Sequence, residues 1–197
     1  MRRLKLFAVL FVLLCGSYLS AKDFDWSECW CNYGGGIKQG DFLVNVDAGF
    51  LYQDFEYSTH DDFWFFPPVM VEVQYVQPIW KLPLSFGGYA GIHGFGYKKI
   101  DHYTSEEQPV YKTYTYWGVF FGAEAAYHIQ LPPESLDVYA VTRFGGNIPF
   151  VKNRELSHYD YIHFGEALGA SWFFGEHAGL NIEFGYPFSK CGVILKF

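Results

Sequence analysis

Residues 157–166 hold a serine, two histidines and two carboxylates in the order Ser157, His158, Asp160, His163 and Glu166. Residues of these types can form a nucleophile with an activating base, in which the imidazole accepts the serine proton and the acid orients the imidazole. Here the serine and the first histidine are adjacent, so they would point to opposite faces of any strand. We therefore interpret this stretch as a polar loop leading into a strand, and we predict no catalytic residue.

The sequence gives little support for a metal or nucleotide site. Cys29 and Cys31, together with Cys191, offer three thiolates but no clear fourth ligand for zinc. The three glycines at 34–36 lack the lysine and the following helix of a phosphate-binding loop. We predict no metal and no cofactor. The pairing of the three cysteines stays open, because an odd number cannot pair completely within one chain.

Composition excludes several classes of protein. Aromatic residues make up 22% of the 197 residues and charged residues 18%, which excludes a disordered chain. Aromatic residues favour strands over helical bundles. The net charge is −7, and Arg2, Arg3 and Lys5 all lie in the first five residues. The rest of the chain is therefore more acidic and has no basic cluster, so we predict no nucleic-acid partner.

The first 21 residues have the pattern of a secretory signal peptide. Basic residues precede an apolar run at 6–14, and small or polar residues follow it. This run is too short to cross a bilayer as a helix. We predict a cleaved leader at 1–21, a lead-in segment at 22–39 and a folded domain at 40–197. Lipid attachment at Cys15 is an open alternative.

Apolar and polar residues alternate with a period of two along most of the remaining chain. This pattern predicts an all-β protein, with strands over 42–52, 69–76, 84–93, 116–128, 137–147, 162–174 and 180–186. A turn at 187–190 leads to an eighth strand that ends at residue 197. We expect polar loops at 98–112 and 151–159. Eight hairpin-connected antiparallel strands with longer connections at one end are typical of up-and-down transmembrane β-barrels.

The last eight residues carry the most specific pattern. Lys190, Gly192, Leu195 and Phe197 stand at its polar, glycine, hydrophobic and terminal aromatic positions. This arrangement resembles the C-terminal assembly signal of bacterial outer-membrane barrels, and the chain from residue 40 resembles the small eight-stranded barrels of the OmpA, OmpX and OmpW type. The resemblance implies a location in the outer membrane of a diderm bacterium, with the lead-in segment in the periplasm. It also implies that outer-membrane lipid and the barrel assembly machinery are partners.

If the apolar stripes face lipid, the opposite faces fill the barrel. Those faces carry nearly all the charged residues of the strands, and we predict an interior polar network of Asp47, Glu72, Glu124, Arg143, Glu183 and Lys196. Its two cations are expected to neutralise some of its four carboxylates and to close the bore. Glu166 falls on the lipid face in this register, unless a bulge near Gly165 turns it inward.

These features predict a non-catalytic role that is structural, adhesive or permissive to small hydrophobic molecules, as in an OmpW-like route for apolar solutes. The aromatic-rich stretch 60–66 is predicted to be an outer loop and the expected contact surface for a host surface, a lipid or a small hydrophobic molecule, and it equally suits resting on the membrane interface. One alternative is a lipid A-modifying enzyme similar to the outer-membrane deacylases. In the deacylase pattern the histidine precedes the serine by two residues, whereas Ser157 precedes His158 here. The other alternative is a soluble, secreted, lipocalin-like barrel, whose apolar faces would point inward.

Overall fold

The computed structural model describes residues 36–52, 61–79, 82–103, 105, 108–129, 135–151 and 162–197. These residues form β1 (Phe42–Tyr52), β2 (Asp61–Val76), β3 (Leu84–Tyr103), β4 (Pro109–Ile129), β5 (Leu136–Val151), β6 (Ile162–Phe173), β7 (Ala178–Tyr186) and β8 (Phe188–Lys196). Each strand pairs antiparallel with its neighbours, and β1 pairs with β8 to close the barrel. The predicted all-β, eight-stranded, up-and-down barrel is confirmed. In the part of the chain that the structure describes, no helix is long and apolar enough to cross a membrane.

The period of two decides which side chains enter the interior. On β1, Asn45 and Asp47 are buried in the lumen, while Val46 between them is 49% exposed on the outside. On β2, Glu72 is fully buried and its neighbour Val71 is 44% exposed. The antiparallel register places Asn45 directly opposite Glu72. The interior therefore holds the buried polar and charged side chains together with apolar ones such as Met70, and large apolar residues cover the exterior, as the alternating stripes predict.

The wall of the barrel is uneven in height. β3 and β4 have 20 and 21 residues, whereas β7 and β8 have nine each. The prediction of a loop at 98–112 is wrong, because most of these residues belong to a long β3–β4 hairpin in which Lys98 pairs with Thr113. Polar side chains interrupt the alternation of apolar residues in this hairpin, and that alternation is what identifies the other strands. Residues 61–66 of the predicted aromatic loop likewise belong to β2, and residue 60 lies outside the described residues.

Exterior aromatic rings gather near both ends of the barrel. Phe42 packs on Tyr75 at the end that carries the start of β1, with ring centroids 4.9 Å apart. Toward the other end, Trp64 and Phe66 pack on Trp117 at 5.6 and 5.3 Å. From Trp64 to Tyr75, β2 runs about 36 Å at about 3.3 Å per residue. Apolar residues of the exterior extend along this length of β2, with Val69, Val71 and Val73 between the two aromatic ends.

The barrel end at which β1 begins and β8 ends is covered by residues 36–38, the N-terminal cover. Ile37 is buried against Leu43, Val76, Phe173 and Ile194. Lys196 Nζ donates a hydrogen bond of 2.7 Å to the carbonyl oxygen of Gly36. The last residues of the predicted lead-in segment therefore pack into this mouth of the barrel. Residues 22–35 lie outside the described residues.

Candidate functional site: a charged cluster in the barrel interior

Six charged side chains from six strands meet in the interior. We call them the ionic cluster: Asp47, Glu72, Glu124, Arg143, Glu183 and Lys190. The register brings them together, because Glu124 lies opposite Arg143 and Glu183 lies opposite Lys190. All six are almost completely buried. Buried charges of this kind persist only when they are paired and hydrogen-bonded.

Arg143 holds three carboxylates with one guanidinium group. Its Nε donates to Glu124 Oε2 at 2.9 Å, one Nη donates to Glu72 Oε1 at 2.5 Å, and the other Nη lies 2.8 Å from Glu183 Oε2. The planar guanidinium carries five N–H donors in a fixed geometry, so one side chain can bind acids that approach from three directions. Arg143 therefore ties β2, β4 and β7 to β5 across the lumen.

Lys190 is the second cation of the cluster. Its Nζ lies 2.5 Å from Asp47 Oδ2, 2.5 Å from Glu72 Oε2 and 3.1 Å from Glu183 Oε1. Glu72 and Glu183 therefore contact both cations and join the two halves of the cluster. With four carboxylates and two cations, the cluster keeps an excess of acidic groups.

Neutral side chains add hydrogen bonds to three of these carboxylates. Asn45 Nδ2 donates to Glu72 Oε2 at 2.9 Å, and Gln74 Nε2 donates to Glu124 Oε1 at 3.0 Å. The Tyr139 hydroxyl lies 2.9 Å from Glu183 Oε1. Each amide thus turns its donor toward a carboxylate, which fixes the orientation of both amide groups.

The prediction for Lys196 is wrong. Its side chain lies near the mouth of the barrel, where Nζ binds the carbonyl of Gly36 and lies 5.0 Å from the centre of the Phe173 ring. Lys190, which the sequence places in a turn, occupies the position expected for Lys196. The turn is shorter than predicted, because β8 already begins at Phe188. Lys190 is separated from Gly192 and Lys196 by even numbers of residues, so all three lie on one face of β8. This spacing could have predicted that Lys190 points into the barrel.

The residues of the predicted assembly signal divide between the two faces of β8. Lys190 and Gly192 face the interior, and a Cβ at Gly192 would overlap the Asp47 side chain. Leu195 and Phe197 lie on the exterior. The same Cβ would lie 2.0 Å from the backbone oxygen of Val46, so Gly192 lets β8 lie close to both the backbone of β1 and the Asp47 side chain. Its role in assembly stays a prediction.

A second contact crosses the lumen beyond Arg143. The Tyr89 hydroxyl lies 2.6 Å from Nε2 of His163 on β6, and the Tyr89 ring lies 6.0 Å from the guanidinium carbon of Arg143. Two glycines make room for this side chain, since a Cβ at Gly122 would lie 2.6 Å from the Tyr89 oxygen and one at Gly145 would lie closer still. Side chains therefore reach across the lumen at two successive levels.

Of the five residues at 157–166 with groups suited to nucleophilic chemistry, the structure describes His163 and Glu166. Ser157, His158 and Asp160 lie outside the described residues. His163 points inward, and Glu166 is exposed on the exterior. Glu166 pairs with Thr142 and Tyr186 in continuous registers, so the alternative of a bulge near Gly165 is wrong.

The cysteines and the acidic groups give no metal site in the described segments. Cys191 lies on the exterior of β8 and forms no disulfide there, while Cys29 and Cys31 lie outside the described residues. Among the described residues, no group of three histidine, cysteine, aspartate or glutamate side chains is arranged to hold a metal ion.

Fold and site together define a closed eight-stranded antiparallel barrel with an apolar exterior and a charged, hydrogen-bonded interior. A scan against protein-family profiles and a search of curated proteins found no match. Among solved structures, the chain is similar to one described as "De novo design of transmembrane beta-barrels". The sequence identity is 15%, the TM-score is 0.46, and the match covers 82% of this chain and 98% of that chain.

Proposed function

We propose that this chain is an outer-membrane β-barrel with a closed bore, whose role is structural and adhesive at the outer face. The observation that carries the proposal is the opposition of the two surfaces. The exterior exposes large apolar residues such as Val71, Val73 and Phe184, each about half exposed. The interior, in contrast, buries the ionic cluster. A soluble barrel of the lipocalin type would need the reverse arrangement. Lipid covers such an exterior at no hydrophobic cost.

The ionic cluster supports the closed bore. Arg143 and Lys190 reach carboxylates on four other strands, so their side chains cross the lumen that a solute would use. An eight-stranded barrel is only wide enough for its own side chains or one small ligand. The ionic cluster therefore argues against a function in which hydrophobic solutes pass along the whole bore. It favours a function based on contact at the outer surface.

The β3–β4 hairpin supports a contact role. It rises above the short strands β7 and β8 and carries Ile100, Tyr103 and Tyr111 as exposed apolar side chains near its tip. In the proposed orientation this tip lies outside the cell, because the N-terminal cover lies at the periplasmic end. Aromatic side chains of this kind suit contact with a host surface or a small hydrophobic molecule.

Cell fractionation combined with gel mobility and planar-bilayer recording tests this function. We expect the protein in the outer-membrane fraction, a different gel mobility before and after boiling, and no stable conductance steps after reconstitution. Recovery as a soluble protein without detergent would refute the membrane location. Large, stable conductance steps from a heat-modifiable barrel would refute the closed bore and leave the membrane location intact.

A further inference from the structure

A second hydrogen-bonded group lies in the interior, apart from the ionic cluster. Ser85 Oγ lies 2.9 Å from Nε2 of His128, and Nδ1 of the same ring lies 3.0 and 3.1 Å from the two carboxylate oxygens of Asp137. All three residues are at most 1% exposed. A hydroxyl, an imidazole and a carboxylate in this order form the geometry in which the ring removes the hydroxyl proton and the acid holds the ring in place.

The strand ends explain why these three residues meet. Ser85 is the second residue of β3, His128 the last but one of β4, and Asp137 the second of β5. The three strands are consecutive in the barrel, and these positions all lie at the mouth where the chain enters β1. The group therefore lies one residue inside the barrel rim.

Gln74 positions the serine from the opposite side. The Ser85 hydroxyl donates to Gln74 Oε1 at 2.7 Å, and the amide of Gln74 is oriented by its bond to Glu124. His128 Nε2 lies almost as close to the same hydroxyl. Rotation about the Cβ–Oγ bond turns the hydroxyl O–H from Gln74 Oε1 toward His128 Nε2, and the imidazole can then accept the proton.

The N-terminal cover lies over the acid of this group. A Cβ at Gly36 would lie 3.6 Å from Cβ of Asp137 and would overlap the ring of Phe173, so the backbone of the cover passes directly over the acid. The cover is held by burial of Ile37 and by the hydrogen bond from Lys196. Both attachments involve few groups and can be removed by single substitutions.

We propose that Ser85, His128 and Asp137 form a nucleophilic triad for small acyl or phosphoryl esters, occluded by the N-terminal cover and reactive when the cover lifts. Ser85 Oγ forms a bond to the carbonyl carbon or the phosphorus, and its proton passes to His128 Nε2. The ester bond to the leaving group breaks, and the leaving oxygen takes that proton from His128. Water then gives a proton to His128 Nε2 and its oxygen bonds to the same carbon or phosphorus. The bond to Ser85 Oγ breaks, Ser85 takes the proton from His128, and the free acid is released. This site needs only the barrel interior, so it is independent of the membrane proposal.

A fluorophosphonate probe tests the triad in the full chain, purified in detergent after export. The Ser85 oxygen displaces fluoride from phosphorus, and peptide mass spectrometry locates the adduct. We expect an adduct on Ser85 in the wild type. The Ile37→Asp variant is expected to label faster than the wild type by roughly tenfold or more. The double variant Ile37→Asp/His128→Gln is expected to label more slowly than Ile37→Asp by roughly a hundredfold, since general-base assistance is worth about that much.

Ser171 supplies a matched control. It is also fully buried, and its hydroxyl donates to Asn181 at 3.2 Å rather than meeting an imidazole. Ser171→Ala is expected to label like the wild type, whereas Ser85→Ala loses the adduct. Absence of an adduct on Ser85 in both the wild type and Ile37→Asp, when boiling still changes their gel mobility, would overturn the proposal. Equal labelling of Ile37→Asp with and without His128→Gln would also overturn it and leave a purely structural hydrogen-bond group.

Discussion

Replacing Arg143 with methionine is expected to lower the free energy of unfolding by about 3–5 kcal/mol, because the change leaves buried carboxylates without their counter-ion. Glu124 is the most affected, since Arg143 is the cation that contacts it among the described residues. Methionine has a similar length, so the loss measures charge more than volume. Urea unfolding in lipid vesicles, followed by tryptophan fluorescence, gives the free-energy difference.

Lys196→Met is the matched control for this substitution. Lys196 also points inward, but it contacts a backbone carbonyl and an aromatic ring rather than the carboxylates. Its loss is expected to cost about 1 kcal/mol, the contribution of one hydrogen bond. Adding Glu124→Gln to Arg143→Met is expected to recover part of the stability. Equal effects of Arg143→Met and Lys196→Met would contradict the ionic cluster as the main electrostatic element of the interior.

Lys190→Met is expected to destabilise the barrel by a similar amount, about 3–5 kcal/mol, for a reason that can be isolated. Asp47 is then left buried without the cation that contacts it in the described structure. Replacing Asp47 with asparagine in the same chain removes that uncompensated charge. The double variant Asp47→Asn/Lys190→Met is therefore expected to be more stable than Lys190→Met alone.

A double-mutant cycle over these two positions measures the coupling directly. A coupling free energy of about 1–3 kcal/mol is expected for residues that share one buried contact. The same cycle with Asp41→Asn supplies the control, since Asp41 accepts a hydrogen bond from the backbone of Lys38 outside the cluster. Additive effects of Asp47→Asn and Lys190→Met would show that the 2.5 Å contact contributes no coupling.

The barrel could be predicted from the sequence because its strands obey one simple rule. Alternation such as Val71, Glu72 and Val73 fixes both the strand and the face of each residue, and a one-residue slip would invert the faces. The inward positions of Asp47, Glu72, Glu124, Arg143 and Glu183 follow from this parity. The extension of β3 and β4 could not be predicted in this way. The added residues include Lys98, Asp101 and Lys112, and this polar stretch shows no apolar stripe.

The contacts within the interior depend on register, which the sequence leaves undetermined. Lys190 and Lys196 share one face of β8. The period of two therefore does not determine which of them lies at the level of Glu72. Ser85, His128 and Asp137 are far apart in sequence, and no spacing rule links the ends of three strands. The pairing of β3 with β4 and of β4 with β5 brings them together.

Cys191 offers a direct probe of the proposed contact between the barrel exterior and lipid. Cys191 lies on the exterior of β8, opposite Ala48 of β1 and Ile182 of β7. In a variant with the other three cysteines replaced by serine, a nitroxide label on Cys191 reports collisions with oxygen, which dissolves in lipid, and with a water-soluble nickel complex. The control is a label at an exposed turn position introduced by Glu176→Cys, in a chain that also lacks Cys191. We expect the label on Cys191 to collide mainly with oxygen and the control label mainly with nickel. Strong collision of the Cys191 label with nickel, equal to that of the control, would contradict the membrane barrel.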